Sequence, residues 1–167
     1  KLYFILSQIG ADCCFFHKPI PSIMTGIGDC IELFNSTICE RLKGQKVLIF
    51  KPNFSISTAN AYHGLNESNF INKDLTLEKI DSFSQSLDCK QLMINTFTEN
   101  LEHKYIALRT VLKTLNDHDI PSMISGSGSG CFSLLSKGNA NNQHNFVKDC
   151  VQDAFGENAF FEEAHIL

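Results

Sequence analysis

Ile120-Pro-Ser-Met-Ile-Ser-Gly-Ser-Gly-Ser-Gly-Cys-Phe-Ser-Leu-Leu135 sets three glycines, alternating with serines, between two short apolar runs. Glycine tolerates positive φ and lets a backbone approach a neighbour closely. Successive N–H groups in such a turn can converge on an anion, most often a phosphate. A flexible Gly/Ser linker is a poor fit, because linkers sit in polar surroundings. The flanks 120–124 and 131–135 instead read as paired buried strands joined by a tight turn. On the residues alone the turn is either a phosphate or ligand loop or a plain hairpin turn. It is not a dinucleotide fingerprint, since Cys131 stands where the third glycine belongs. It is not a Walker loop, because no lysine follows before Lys137. Nor is it a nucleophile elbow, whose central serine is replaced by Gly128.

The pattern on either side of this turn gives the remaining elements. Upstream, Phe97, Leu101, Tyr105, Leu108, Leu112 and Leu115 recur at helical spacing, which predicts one helix over 99–115 with a core-facing stripe. Val47-Leu48-Ile49-Phe50 is a buried strand closed by Lys51-Pro52-Asn53. Ser57 or Thr58 can cap a short helix that ends at His63-Gly64. A further helix from about 76 turns Ile80, Phe83 and Leu87 inward. Downstream, 141–155 is helical with Phe146, Val147, Cys150, Val151 and Phe155 inward, and 159–167 is a strand. From Val47 on, the order is strand, helices, strand, strand, helix, strand. This is the split β-α-β order of ferredoxin-like α+β domains, a fold that hosts many functions. Before it, residues 1–9 read as a helix stopped by Gly10, and 22–33 as two strands around Gly26-Ile27-Gly28-Asp29. The loop Lys43-Gly44-Gln45 is the best internal boundary, giving segments 1–44 and 45–167.

Composition narrows the function. The 167 residues suffice for one domain and a small piece. The formal charge of −4, with Lys and Arg scattered singly, argues against a nucleic-acid surface. No apolar run approaches the roughly 18 residues that span a bilayer, so no membrane partner is expected. The seven cysteines are odd in number and contain no C-x-x-C, and the histidines are dispersed. Reduced thiols in a cytoplasmic protein, and no metal site, are expected. The chain opens on Lys1 inside an apolar pattern (Leu2, Ile5, Leu6, Ile9) with no cap before it. The expectation is the later part of a longer protein.

Three features stand in order along the chain. Gly10-Ala11-Asp12-Cys13-Cys14-Phe15-Phe16 places a carboxylate just past a helix-stopping glycine. Pro52-Asn53-Phe54-Ser55-Ile56-Ser57-Thr58-Ala59-Asn60-Ala61-Tyr62 follows a strand and opens a helix. Ser125 to Gly130 is the glycine turn. Together they resemble the GHMP small-molecule kinases, over nearly the whole chain but only the later half of such an enzyme. The family's Gly-x-Gly-Glu turn resembles Gly26 to Asp29, and its Asn-Asp-Leu-Glu helix start resembles Glu99-Asn100-Leu101-Glu102. Within the family the pattern is most like the members that act on a cytidine-diphosphate-linked methylerythritol.

That resemblance implies a ferredoxin-like C-terminal GHMP kinase domain over 45–167. Residues 1–44 would be the last elements of a truncated N-terminal domain of the ribosomal protein S5 domain 2-like kind. It implies an enzyme, a phosphotransferase that moves the ATP γ-phosphoryl group to the acceptor's 2-hydroxyl in non-mevalonate isoprenoid (terpenoid) precursor synthesis. Asp12 matches the catalytic carboxylate. Thr58 and Tyr62 match positions lining the cytidine pocket, and Gly126, Ser127 and Gly128 match the loop that approaches the substrate's phosphates. From the residues alone, Asp12 reads as a local cap, and Tyr62 equally as packing. Departures are Cys14 for the usual Pro, Glu99-Asn100 for Asn-Asp, and Gly130 for Cys or Ala. The family's early lysine segment and its glycine-rich ATP loop have no counterpart here. ATP and Mg2+ would therefore be held through the missing N-terminal half, and this chain alone is expected to be inactive. The alternatives are another GHMP kinase, or a non-enzymatic ferredoxin-like module holding a small anion at Gly126–Gly128.

Overall fold

The computed structural model describes residues 2–10, 13–17, 19–34, 36–70, 72–86 and 88–167. Asp12 and Leu87 lie outside the described residues. The chain divides into two compact units, Lys1–Gly44 with Ile166–Leu167, and Gln45–His165.

In the first unit, α1 (Leu2–Ile9) ends where Gly10 N–H donates to Leu6 O at 3.2 Å. After α2 (Cys13–His17), strands β1 (Ser22–Thr25) and β2 (Cys30–Leu33) pair antiparallel, from Ser22 opposite Leu33 to Thr25 opposite Cys30. The turn between them needs glycine at Gly26. Its φ is +70°, and a Cβ there would fall 2.5 Å from Asp29 Oδ1, the atom that accepts the Ile27 amide at 3.2 Å. The short helix α3 (Ser36–Leu42) follows. Cys14 and Ile38 are the buried apolar side chains described in this unit.

The second unit is α+β. Its four-stranded antiparallel sheet runs β4-β5-β3-β6, with β3 (Lys46–Lys51), β4 (Ser122–Ile124), β5 (Cys131–Leu134) and β6 (Phe160–His165). Counting only this unit's strands in chain order, the sheet reads 4-1-3-2. The alternation in β3 is clean: Leu48 and Phe50 are fully buried, and Ile49 between them faces outward. Register places Leu48 opposite Ser133 and Phe50 opposite Cys131. The long helices α7 (Ile106–Asp117) and α8 (Ala140–Phe155) pack on each other, α7 against β4 and α8 against β3. Leu108, Val111, Leu112 and Leu115 of α7 and Val147 and Val151 of α8 close the core over Leu48, Phe50, Ile124 and Cys131. The predicted strands and the terminal helix are all present, within a residue or two at their ends, and the helix expected from about 76 is α5 (Lys73–Ser86), with Phe83 fully buried.

One expectation fails. The helix predicted over 99–115 is two, α6 (Thr98–Lys104) and α7, broken at Tyr105. Tyr105 has φ −116° and ψ 79°, outside helical values. Its ring lies flat on Phe54, centroids 5.1 Å apart and planes 10° from parallel. The apolar spacing survives the break, because Leu101 and Leu108 on either side still reach the same core.

Candidate functional site

The connection after β3 is held down before it turns into a helix. Pro52 is buried, and Asn53 Nδ2 donates to Phe155 O at 3.1 Å. Ser57 then caps α4 (Thr58–His63), its Oγ accepting the Asn60 amide at 3.4 Å, which satisfies one of the free donors of a helix start. Ala61 anchors this helix in the core. Thr58 and Tyr62, one turn apart, remain exposed. The Tyr62 ring is 61% exposed and meets Phe97 edge-on, with centroids 5.0 Å apart. The helix stops at Gly64, where a Cβ would land on the amide of Asn100.

The glycine turn between β4 and β5 is closed by Ser125 N–H donating to Gly130 O at 2.8 Å and Gly128 N–H donating to Ser125 O at 3.1 Å. Gly126 and Gly128 both have positive φ, +55° and +76°. Their surroundings differ. A Cβ on Gly128 would sit 3.0 Å from Ile56 Cδ1 and 3.3 Å from Ile124 Cγ2, whereas one on Gly126 meets nothing within 4 Å. The serines differ as well. Ser129 is buried, and its hydroxyl donates to Phe54 O at 2.7 Å, which ties the turn to the strand–helix connection. Ser127 Oγ lies 3.2 Å from Thr58 Oγ1. Among the described residues, no group accepts from the N–H of Gly126 or Ser127.

Five of the six residues singled out from sequence are thus gathered in the second unit. Thr58 and Ser127 touch across 69 positions of sequence, Gly126 and Gly128 frame Ser127, and Tyr62 stands one turn along α4. The sixth, Asp12, lies outside the described residues. The arrangement offers two hydroxyls, two unpaired amides and an exposed aromatic face. That set suits a ligand with a flat ring and an anionic tail. Cys131, at the far end of the turn, is no candidate nucleophile: burial pushes its thiol up to about 12.

Asn95 was not anticipated. Its Nδ2 donates to both Ile124 O and Gly126 O, each at 2.8 Å, and its Oδ1 accepts the Phe97 amide at 3.0 Å. The only local signal is an Asn just before a helix, and the resemblance points instead to Glu99-Asn100-Leu101-Glu102, which lies inside α6. There Asn100 packs against Gly64, and Glu99 accepts from Asn69 Nδ2 at 3.3 Å.

Fold and motifs resemble the C-terminal half of a GHMP-type small-molecule kinase. The relatives carry a more particular name. A protein of Parabacteroides distasonis called 4-diphosphocytidyl-2-C-methyl-D-erythritol kinase is 28% identical over 90% of this chain and 53% of its own length. One of the same name from Methylacidiphilum infernorum is 32% identical over 90% of this chain and 47% of its own. A crystal structure of 4-(cytidine 5′-diphospho)-2C-methyl-D-erythritol kinase matches 99% of this chain and 57% of its own, with a TM-score of 0.68 at 18% identity, a likeness of fold. The chain therefore spans about half the length of the curated relatives it matches. No family model matches it.

Proposed function

We propose that this chain is the substrate-holding half of a kinase that phosphorylates the 2-hydroxyl of 4-diphosphocytidyl-2-C-methyl-D-erythritol at the expense of ATP. The observation that carries this reading is the contact of Thr58 with Ser127 at 3.2 Å, beside the exposed ring of Tyr62. Tyr62 packs on the pyrimidine or its ribose, as aromatic side chains do on flat rings. The hydroxyls of Thr58 and Ser127 and the amides of Gly126 and Ser127 face the diphosphate. Gly126 leaves room for it to approach.

Phosphoryl transfer asks a protein chiefly for alignment and charge stabilisation. In this reading the acceptor oxygen bonds to the γ-phosphorus, the bond from that phosphorus to the β,γ-bridging oxygen breaks, and ADP leaves. Asp12 orients the hydroxyl and takes its proton. The residues present do not fit ATP triphosphate or magnesium. The chain lacks the family's lysine segment and ATP loop, and its described residues contain no group of three His, Cys, Asp or Glu able to hold a metal. Both ligands fall to an N-terminal half.

Two observations support the division of labour. The strand order 4-1-3-2 of Gln45–His165 fits the split β-α-β arrangement expected of a ferredoxin-like C-terminal domain. In Lys1–Gly44, Leu2, Ile5 and Ile9 share one face of α1 and are 51%, 55% and 71% exposed. An apolar stripe of that kind belongs to a domain larger than these residues supply, here the end of an N-terminal kinase domain. A cytoplasmic location is consistent with seven cysteines that form no disulfide. No described helix is long and apolar enough to cross a membrane.

The test is turnover. The 167-residue chain should give no ATP-dependent phosphorylation of the methylerythritol substrate, and a chain extended by an N-terminal kinase half should give it. Asp12→Asn in the extended chain should lower kcat at least 100-fold with little change in substrate affinity. Full turnover by Asp12→Asn would refute the base. An extended chain that binds a small anion at the turn but transfers no phosphoryl group would favour the binding-module reading.

A further inference from the structure

We infer that Asn95 is the positioning residue of the glycine turn, fixing where Ser127 and the amides of Gly126 and Ser127 stand. This rests on the reading that the turn receives the substrate's diphosphate. The turn is short of restraint where it matters. Gly126 and Gly128 supply conformational freedom rather than rigidity, and Gly126 lies exposed with open space around it. Its internal hydrogen bonds close the base, Ser125 to Gly130, and reach Gly128 from Ser125. Ser129 holds the far arm to Phe54. Within the turn the one bond from Gly128 N–H to Ser125 O spans Gly126 and Ser127, and no further bond there restrains the carbonyl of Gly126.

Asn95 does that from outside. A side-chain amide has two N–H donors and one carbonyl acceptor, and here all are used. The two donors span the carbonyls of Ile124 and Gly126, so the strand end and the turn are tied to one nitrogen. The acceptor takes the Phe97 amide, which fixes the plane of the side chain. Phe97 in turn carries the edge of Tyr62. One residue therefore relates the turn to the aromatic face across 31 positions of sequence, and Thr58, on the same helix as Tyr62, meets Ser127 from the other side. This side chain and the Thr58–Ser127 contact couple turn and ring, beside the Ser129–Phe54 hydrogen bond and the packing of Gly128 on Ile56.

Two substitutions separate the parts. Asn95→Asp keeps the acceptor for Phe97 and replaces the donors with a carboxylate oxygen facing two carbonyls. Asn95→Ala removes both. Backbone amide exchange in the purified chain reads the restraint, and titration with cytidine 5′-diphosphate reads the consequence. We expect both variants to speed exchange at Ser125 and Gly128 at least 10-fold, with α7 and α8 unchanged. Both should also weaken cytidine 5′-diphosphate at least 10-fold at temperatures well below the melting transition. Thr58→Ala, measured alongside, should weaken binding without touching exchange at Ser125. Unchanged exchange in Asn95→Asp overturns the inference. Faster exchange with unaltered affinity also overturns it, leaving Asn95 a structural tie only. If the unsubstituted chain ignores cytidine 5′-diphosphate, the substrate reading fails, and the exchange result still decides whether Asn95 governs the turn.

Discussion

Alanine at Gly128 and at Gly126 makes a matched pair, because both positions have positive φ and they differ in what surrounds them. Both have positive φ, so a Cβ at either costs about 1–2 kcal/mol of backbone strain. Alanine also narrows the unfolded ensemble, which returns about 0.4–1 kcal/mol. At Gly126 nothing lies within 4 Å of the added carbon, and the net cost is about 1 kcal/mol. At Gly128 the carbon falls 3.0 Å from Ile56 Cδ1, 3.3 Å from Ile124 Cγ2 and 3.5 Å from Leu101 Cδ1. Ile124 is fully buried and Leu101 is 2% exposed, so neither has room to yield. Overpacking of a tight core adds about 1–3 kcal/mol, for a total of about 2–4 kcal/mol. Urea unfolding followed by circular dichroism measures both, with an unchanged slope confirming the same transition. Affinity should reverse the order of effects: Gly126→Ala, the less destabilising of the two, crowds the side of the turn assigned to the diphosphate and should weaken cytidine 5′-diphosphate strongly. Equal destabilisation by the two substitutions would refute the packing of the turn on Ile56, Ile124 and Leu101.

Tyr62→Ala removes a largely exposed ring and its edge contact with Phe97. It should cost no more than about 1.5 kcal/mol of stability while lowering cytidine 5′-diphosphate affinity by about 10-fold; unchanged affinity in a titration would count against the pyrimidine contact. Cys131 should be the slowest thiol to alkylate with iodoacetamide at pH 8, followed by peptide mass spectrometry, and exposed Cys30 among the fastest. Its folded value of about 12 lies above the ordinary 9.0 of a thiol, so its contribution to stability is complete below 9.0 and is lost as pH rises from 9.0 towards 12. Cys131→Ala should flatten that alkaline loss, and labelling of Cys131 as fast as Cys30 in the folded chain would contradict the buried assignment.

The parts of the fold that follow from local pattern were legible. The unbroken apolar run Val47 to Phe50 marks a strand, although only the structure shows that Ile49 faces outward, and the glycines at 126 and 128 demand a turn between apolar arms. The break at Tyr105 was not legible. Tyr105 belongs to the same apolar stripe as its neighbours, and what takes it out of the helix is a ring stacked on Phe54, 51 positions away. The candidate site divides in the same way. The glycine turn was a candidate loop on its own residues, but Thr58 and Tyr62 came from resemblance rather than spacing, since no periodicity relates α4 to residue 127. Asn95 was missed because its three hydrogen bonds give no sequence signature. A lone polar residue before a helix looks like a cap, and in part it is one. Ser129 shows the converse: it shares the pattern of Ser127 but spends its hydroxyl on Phe54.

The most direct test of the central claim, that this chain holds the cytidine-diphosphate end of the substrate, is a backbone amide NMR titration of the 167 residues with cytidine 5′-diphosphate. The account predicts saturable shifts that cluster at Thr58, Tyr62 and Gly126 to Gly128, with α7 and α8 silent. A saturable response elsewhere, such as at the Lys46 and Lys137–Asn142 cleft, or no response at millimolar ligand, would contradict it.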